Sequence, residues 1–401
     1  MKPRILALYL PQFHPIPEND EWWGAGFTEW HNVVKAQPLF KGHVQPKLPA
    51  DLGFYDLRLP ETREQQAQLA REAGVEGFCY YHYWFGGKQL LERPFNEVLE
   101  SGQPDFPFCL CWANHSWTNK TWKNKNSLSN GSMIMEQVYP GEEDDVNHFN
   151  HVLPAFKDKR YVKVDGKPVF FLYNPWEHSR VREWIATWRE LAHKNGLPGL
   201  HLVAMCDSTL TFRQSSDGKR VRTMPNLNSS QELFASVLDM GFDAVNSFGR
   251  RRGEMLADGK WNNLVKTVMR KAGLPVNGCF DYRKTVQGFF APEDKWENVY
   301  PTVMPQWDRS PRASSFDGIY TGSTPEAFEE HLRQAVHLVK DKASDHQIIV
   351  LKSWNEWGEG NYVEPDQQFG HGWLDAMSRV LADIPEISRY PDADVSGGKR
   401  E

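Results

Sequence analysis

The sequence predicts an α/β protein of the (β/α)8 TIM-barrel class, with long loops at the C-terminal face. Three observations carry this: eight short apolar runs recur along the chain, helical stretches with readable ends separate them, and the longest connections all follow a run. The runs are residues 5–10, 77–83, 106–112, 169–173, 200–206, 244–248, 299–306 and 348–354. They are rich in Val, Ile, Phe and Tyr and mostly lack polar alternation, as parallel strands covered on both faces do. Between them, Ser229 and Glu232 form a capping-box pattern ahead of residues 233–240. Thr324-Pro325 supplies a cap and an N1 proline for a helix reaching Val339. The amphipathic stretch 182–195 stops at Gly196, a left-handed terminator. Asp165-Gly166 marks a hairpin leading into the fourth run. About eight strand-then-helix units favour a closed barrel over an open doubly wound sheet. Residues 1–390 are expected to form one catalytic domain, and the polar residues 391–401 a disordered tail. Loops 11–59, 113–142 and 207–228 would rise from the C-terminal face, where barrel enzymes build their sites.

Composition removes several classes of function. At 40% hydrophobic and 24% charged, the 401 residues are ordinary for a globular protein. A net charge of -6 gives no reason to expect nucleic acid or an anionic membrane as partner. No stretch approaches the roughly 20 apolar residues of a membrane span, so no membrane insertion is expected. The basic start Met1–Arg4 leads into an apolar run that Pro11 cuts too short for a secretory signal. Cys79, Cys109, Cys111, Cys206 and Cys279 are odd in number, and four lie in strand-like runs. Reduced, buried thiols and a cytoplasmic address follow. The outlying figure is 16 Trp. Flat rings fill cores, and they also stack on the C–H faces of sugars.

In a barrel, residues just past each strand share one arena. That places His14, Tyr81, His82, Trp84, Trp112, Asn114, His115, Trp117, Asn174 and Trp307 together with Trp354, Asn355 and Trp357. The first long loop adds Trp23, Glu29 and Trp30. Asn and His match sugar hydroxyls, which both donate and accept hydrogen bonds, and Trp supplies a stacking floor. Any one of these alone is more often packing. Their recurrence at strand ends points to a carbohydrate site.

Glu356 and Glu359 are the sharpest signal. Glycosidic cleavage uses one carboxyl to protonate the leaving oxygen and a second carboxylate on the sugar side. Two such groups in one apolar pocket push their pKa values apart, giving an acid and a base. An E-x-x-E spacing is weak by itself; its place at the end of an apolar strand, with Trp354 and Trp357, strengthens it. Gly358 and Gly360 allow the backbone to turn sharply there. H-E-x-x-H, C-x-x-C and Walker A patterns are absent. His14, His82 and His115 lack ligand spacing, so neither metal nor cofactor is expected. The only D-x-D, Asp392-Ala393-Asp394, lies in the tail.

Several segments together carry a resemblance: residues 4–14 (RILALYLPQFH), 26–30 (GFTEW), 80–84 (YYHYW), 112–115 (WANH) and 354–365 (WNEWGEGNYVEP). They resemble the WbsX-type polysaccharide-biosynthesis family, which is related to glycoside hydrolase family 99. The resemblance implies a (β/α)8 barrel and metal-independent, retaining action on mannose-like glycosidic bonds. It implies that Glu356 deprotonates the sugar 2-hydroxyl and that Glu359 protonates the leaving oxygen. The family 99 motif has His where this chain has Gly358, and it matches Glu364 to a further glutamate, read here as structural. Three functions are therefore carried forward. The first is a glycoside hydrolase or transglycosylase acting on an oligosaccharide or polysaccharide. The second is a glycosyltransferase in O-antigen or cell-surface polysaccharide biosynthesis, which needs a phosphate patch such as Arg250–Arg252 with Lys219-Arg220. The third is a non-catalytic carbohydrate-binding protein.

Overall fold

The eight apolar runs pair side by side as parallel strands in the computed structural model. It describes residues 2–118, 133–207, 212–214, 220–222, 229–272, 278–313 and 317–384. The strands are β1 (Arg4–Tyr9), β2 (Gly77–Phe85), β3 (Phe108–Trp112), β4 (Lys167–Leu172), β5 (His201–Asp207), β6 (Ala244–Phe248), β7 (Val299–Val303) and β8 (Ile348–Leu351). Each pairs with its chain neighbour, and β1 closes the ring by pairing with β8 through Arg4↔Ile348 and with β2 through Leu6↔Gly77. Closure leaves no sheet edge, and the helices outside and side chains filling the lumen bury the strands on both faces, which explains the absence of polar alternation.

One longer helix follows each strand: α1 (Pro60–Glu72), α2 (Arg93–Ser101), α3 (Glu142–Lys157), α4 (Val181–Lys194), α5 (Ser230–Asp239), α6 (Arg250–Lys271), α7 (Pro325–Val339) and α8 (Gly372–Ala382). Their ends follow local chemistry. Ser229 Oγ accepts from Glu232 N at 3.1 Å, and Thr324 Oγ1 from Ala327 N at 3.3 Å. The helix predicted over 182–195 is α4, followed by Gly196 at φ 78°. The hairpin at Asp165-Gly166 joins Lys163–Val164 to β4, with both turn residues at positive φ. Cys79, Cys109, Cys111 and Cys206 are buried in the strands. Among the described residues no helix is long and apolar enough to cross a membrane. Loop 11–59 folds back over the barrel mouth, pinned by Leu57 N to Phe13 O at 3.1 Å. Most of loop 207–228 and the whole tail 391–401 lie outside the described residues.

Packing of a closed barrel sorts each strand by parity: alternate side chains face the lumen or the helices. Strand β2 shows it. Tyr81 and Tyr83 face the lumen, whereas His82 and Trp84 stack against His148 of α3. Burial in this outer layer and elsewhere holds several imidazoles uncharged. It pushes His82, His178 and His331 down to about 3, and His14 and His201 to about 4. The unfolded chain protonates these groups near pH 6.5 while the folded chain does not. Their contribution is complete above that pH and is lost as pH falls towards the depressed folded values. Each neutral imidazole should steepen the loss by about 1.4 kcal/mol per pH unit. Urea midpoints should therefore fall between pH 7 and pH 5, before most carboxylates titrate. His331→Phe should make that fall shallower by one proton's share; an unchanged slope would show that His331 does not titrate on unfolding.

Candidate active site

Strand β8 ends at Leu351, and the next fourteen residues form a braced turn over the barrel mouth. Asn355 clamps the first strand, accepting from Leu10 N at 2.7 Å and donating to Leu10 O at 3.0 Å. Ser353 Oγ accepts from Glu356 N at 2.9 Å, which holds the start of the turn. Trp357 stacks on Tyr362 with ring centroids 3.5 Å apart and donates to Glu364 at 2.7 Å. Burial pushes Glu364 up to about 7, against hydrogen bonds from Trp357, Gln66 and Tyr55. Gly360 closes the turn at φ 60°, with Asp308 so near that a Cβ would meet its Cβ at 2.9 Å. This brace directs Glu356 and Glu359 into the barrel mouth.

There they line a cavity of about 270 Å³. Its walls are the aromatic rings of Trp23, Tyr81, Tyr83, His115, Trp117 and Tyr173, and its charged lining adds Arg309, Arg312 and Lys352. Arg312 is the hub. Its Nη1 lies 3.2 Å from Glu356 and 2.8 Å from Glu359, and its Nε lies 2.9 Å from Glu29. Arg309 approaches Glu359 at 3.3 Å, and Lys352 Nζ stands 3.3 Å from Glu356 and 3.4 Å from Tyr81 Oη. Three carboxylates thus face three cations, a balance that makes burial tolerable for all of them but Arg309, which stays partly exposed.

The charges decide protonation. Burial raises Glu359, but Arg312, Arg309, Lys352 and Arg250 outweigh it and hold the carboxyl at about 2. Burial dominates at Glu29 and leaves it above the usual carboxylate range, against the pull of Arg312. His115 is pushed down to about 4 by burial, so it faces the cavity as a neutral ring that both donates and accepts. Glu359 therefore stands ionised in this state, not as the protonated acid the resemblance implies, because cations reach it from three elements.

Of the residues expected to line the site, the fold brings together Glu356, Glu359, Trp23, Tyr81, His115 and Trp117. The rest stand elsewhere and correct that expectation. His14 is buried against Pro11 O at 2.9 Å. Trp30 sits in the loop core among Phe13, Tyr55 and Trp357. Glu29 lies behind Arg312 rather than on the wall. His82, Trp84 and Trp112 occupy the helix-facing parity, with Trp84 donating to Asp144 and Trp112 packed on Trp184. Asn114 and Asn174 tie two loops together at 2.7 and 2.8 Å. Trp354 packs on Phe78, and Asn355 and Trp357 build the turn already described. Trp307 lies under Arg250 and Lys352, 5.3 and 5.8 Å from its centroid, supporting cations rather than lining the cavity.

Sequence reasoning missed Lys352, Arg309, Arg312, Tyr83 and Tyr173. Lys352 had a signal, a lone cation in the run 348–354. The arginines sit at and beside a single helical turn, Ser310–Ala313, and nothing local marks them. The candidate phosphate cluster is also corrected. Arg250 and Arg251 both pair with Glu254, and Arg252 donates to the backbone of Gly288 and Phe289; Arg250 also lies over Trp307 and adds its charge to Glu359. The side chains of residues 219 and 220 lie outside the described residues.

The model of the family described as glycosyltransferase WbsX matches residues 5–377. The chain belongs to this family. Two uncharacterized WxcX proteins, from two strains of Xanthomonas campestris pv. campestris, are each 34% identical over 386 residues. Those alignments cover 96% of this chain and 50% of the relatives, so it spans about half the length of the curated relatives it matches. Among solved structures, a glycoside hydrolase-like protein aligns with TM-score 0.55 and 14% identity, over 95% of this chain and 94% of that one. A GH99 endo-α-mannosidase from Bacteroides thetaiotaomicron, solved with bis-tris propane, aligns with TM-score 0.53 and 13% identity, over 94% and 96%. At such identities the likeness is one of fold.

Within this WbsX-family chain, Gly358 explains how Glu29 reaches Arg312. A Cβ at Gly358 would stand 1.5 Å from Glu29 Oε1 and 3.0 Å from Arg312 Nε. Any side chain there evicts the Glu29 carboxylate. A histidine at this position, as in the family 99 motif, and the Glu29–Arg312 pair are mutually exclusive. Glu29→Gln should destabilise the fold by roughly 3 kcal/mol, the scale for removing one partner of a buried pair. Gly358→His should be tolerated better together with Glu29→Ala than alone. A double-mutant cycle in urea checks this, and additive losses would contradict the steric coupling.

Proposed function

We propose that this chain is a carbohydrate-active enzyme that makes or breaks glycosidic bonds, with Glu356 and Glu359 as its reacting carboxylates. The supporting observation is that both lie within contact of one guanidinium nitrogen in an aromatic-walled cavity at the barrel mouth. Trp23 and Trp117 suit the apolar face of a sugar ring, and Tyr81, Tyr83 and neutral His115 suit its hydroxyls. The leading reading is a retaining hydrolase or transglycosylase on a mannose-like oligosaccharide. Glu356, held by Lys352 and Arg312, accepts the proton of the 2-hydroxyl, whose oxygen then attacks the anomeric carbon. Glu359 donates a proton to the departing sugar oxygen. Because Glu359 is ionised as it stands, this reading requires the bound sugar to part it from Arg312 and let it take up a proton.

A second reading has its own support. A phosphate leaves without needing a proton, so a glycosyltransferase with a sugar–phosphate donor requires cations and an ionised base instead of a carboxylic acid. Arg309, Arg312 and Lys352 beside an ionised Glu359 suit that chemistry.

Glu359→Gln should lower turnover of α-linked mannooligosaccharides or a bacterial polysaccharide by about a thousandfold while leaving sugar binding nearly intact. Unchanged turnover would remove Glu359 from the chemistry. The pH profile separates the two readings. In the hydrolase, kcat should fall as pH rises through the elevated Glu359 pKa of the bound complex. In the transferase, Glu359 stays ionised and that basic limb is missing. Thermal-shift measurements add a check: oligosaccharides should raise the melting temperature in the first case, nucleotide sugars in the second.

A further inference from the structure

Helix α6 carries an apolar face that the barrel does not use. Non-helical Gly259, at φ 70° and ψ 170°, divides it, and the part after the kink has the sequence KWNNLVKTVMRK over residues 260–271. Trp261, Leu264, Val265 and Val268 follow the i, i+3, i+4, i+7 spacing of a single helical face. That face points outward: the four residues are 80%, 55%, 53% and 58% exposed. Met255 and Leu256, just before the kink, are 50% and 58% exposed. The polar side turns towards the protein. Asn263 donates to Met255 O at 2.7 Å and Gly259 O at 2.8 Å, while Lys266 pairs with Asp258 at 2.6 Å above the Phe280 ring. An amphipathic surface helix normally buries its apolar stripe, and this one is reversed.

The charge on the segment selects what covers it. Residues 255–271 contain Lys260, Lys266, Arg270 and Lys271 against the single acid Asp258, within a chain of net charge -6. Lys260, next to Trp261, is exposed. A cationic helix presenting Trp, Leu and Val suits the boundary between anionic headgroups and acyl chains. We propose that residues 255–268 seat the protein on an anionic lipid surface, with the apolar face at the acyl boundary and the exposed Lys260 among the headgroups. This is peripheral attachment, in keeping with the absence of a spanning helix among the described residues. The same helix begins at Arg250, over Trp307 and beside the cavity, so seating would hold the barrel mouth near the bilayer. The chain-wide negative charge, which argues against an anionic membrane partner, conceals this local reversal.

Cosedimentation of the full chain with vesicles tests the proposal. The protein should pellet with phosphatidylcholine vesicles that contain phosphatidylglycerol, pellet less with phosphatidylcholine alone, and be released by high salt. The triple variant Trp261→Ser, Leu264→Ser, Val268→Ser should bind the anionic vesicles at least about tenfold more weakly. Its circular dichroism and melting temperature should match the parent, because those side chains are already exposed. Lys260→Glu should weaken binding to the anionic vesicles specifically. Val34→Ser with Phe54→Ser, exposed elsewhere, should change nothing. Failure to pellet with anionic vesicles, or equal binding by the triple variant, would overturn the proposal. So would a dimer in size-exclusion chromatography that the triple variant converts to monomer, since a second copy would then be the occupant.

Discussion

Arg312 organises the candidate site. Its guanidinium is buried and meets Glu29, Glu356 and Glu359 at once. A charge in that position is stable only while carboxylates surround it, and the carboxylates tolerate burial because of it and of Lys352 and Arg309 beside it. Around this interaction stand two accommodations. Gly358 leaves room for Glu29, and the Asn355 clamp and Trp357 stack hold the turn that delivers the other two acids.

The arrangement has a chemical consequence. A site with one carboxylate kept protonated by an apolar wall is prepared for acid catalysis before substrate arrives. Here cations from the 309–312 turn and from Lys352 keep Glu359 ionised, so a protonation step would depend on what binds. The cavity is lined by opposed charges rather than by neutral groups alone. That lining also explains why phosphate-bearing donors compete with neutral glycans as candidate substrates.

The barrel imposes a second division, by parity. Tyr81 and Tyr83 meet the cavity, while His82 and Trp84 join a layer of stacked imidazoles and indoles against α3 and α4. The abundance of tryptophan therefore has two destinations. Trp23 and Trp117 are walls, whereas Trp84, Trp112, Trp184 and Trp188 are packing between strands and helices.

The barrel itself was readable from residue order. Strands buried on both faces must be apolar throughout, and caps such as Ser229 and Thr324 act within a few residues, so both leave local marks. The glutamates at 356 and 359 were readable for the same reason, at the end of a strand with tryptophans close by. Parity was also available in β2: residues 81, 82 and 84 cannot all face one lumen, because side chains alternate. What the tertiary structure alone decided is the company of the two acids. Arg312 lies 44 residues from Glu356 and 283 from Glu29, and the contacts among them arise only when the ring closes and loop 11–59 folds over it. Charge pairing across such separations leaves no local pattern, since it depends on distance in space and not on spacing along the chain.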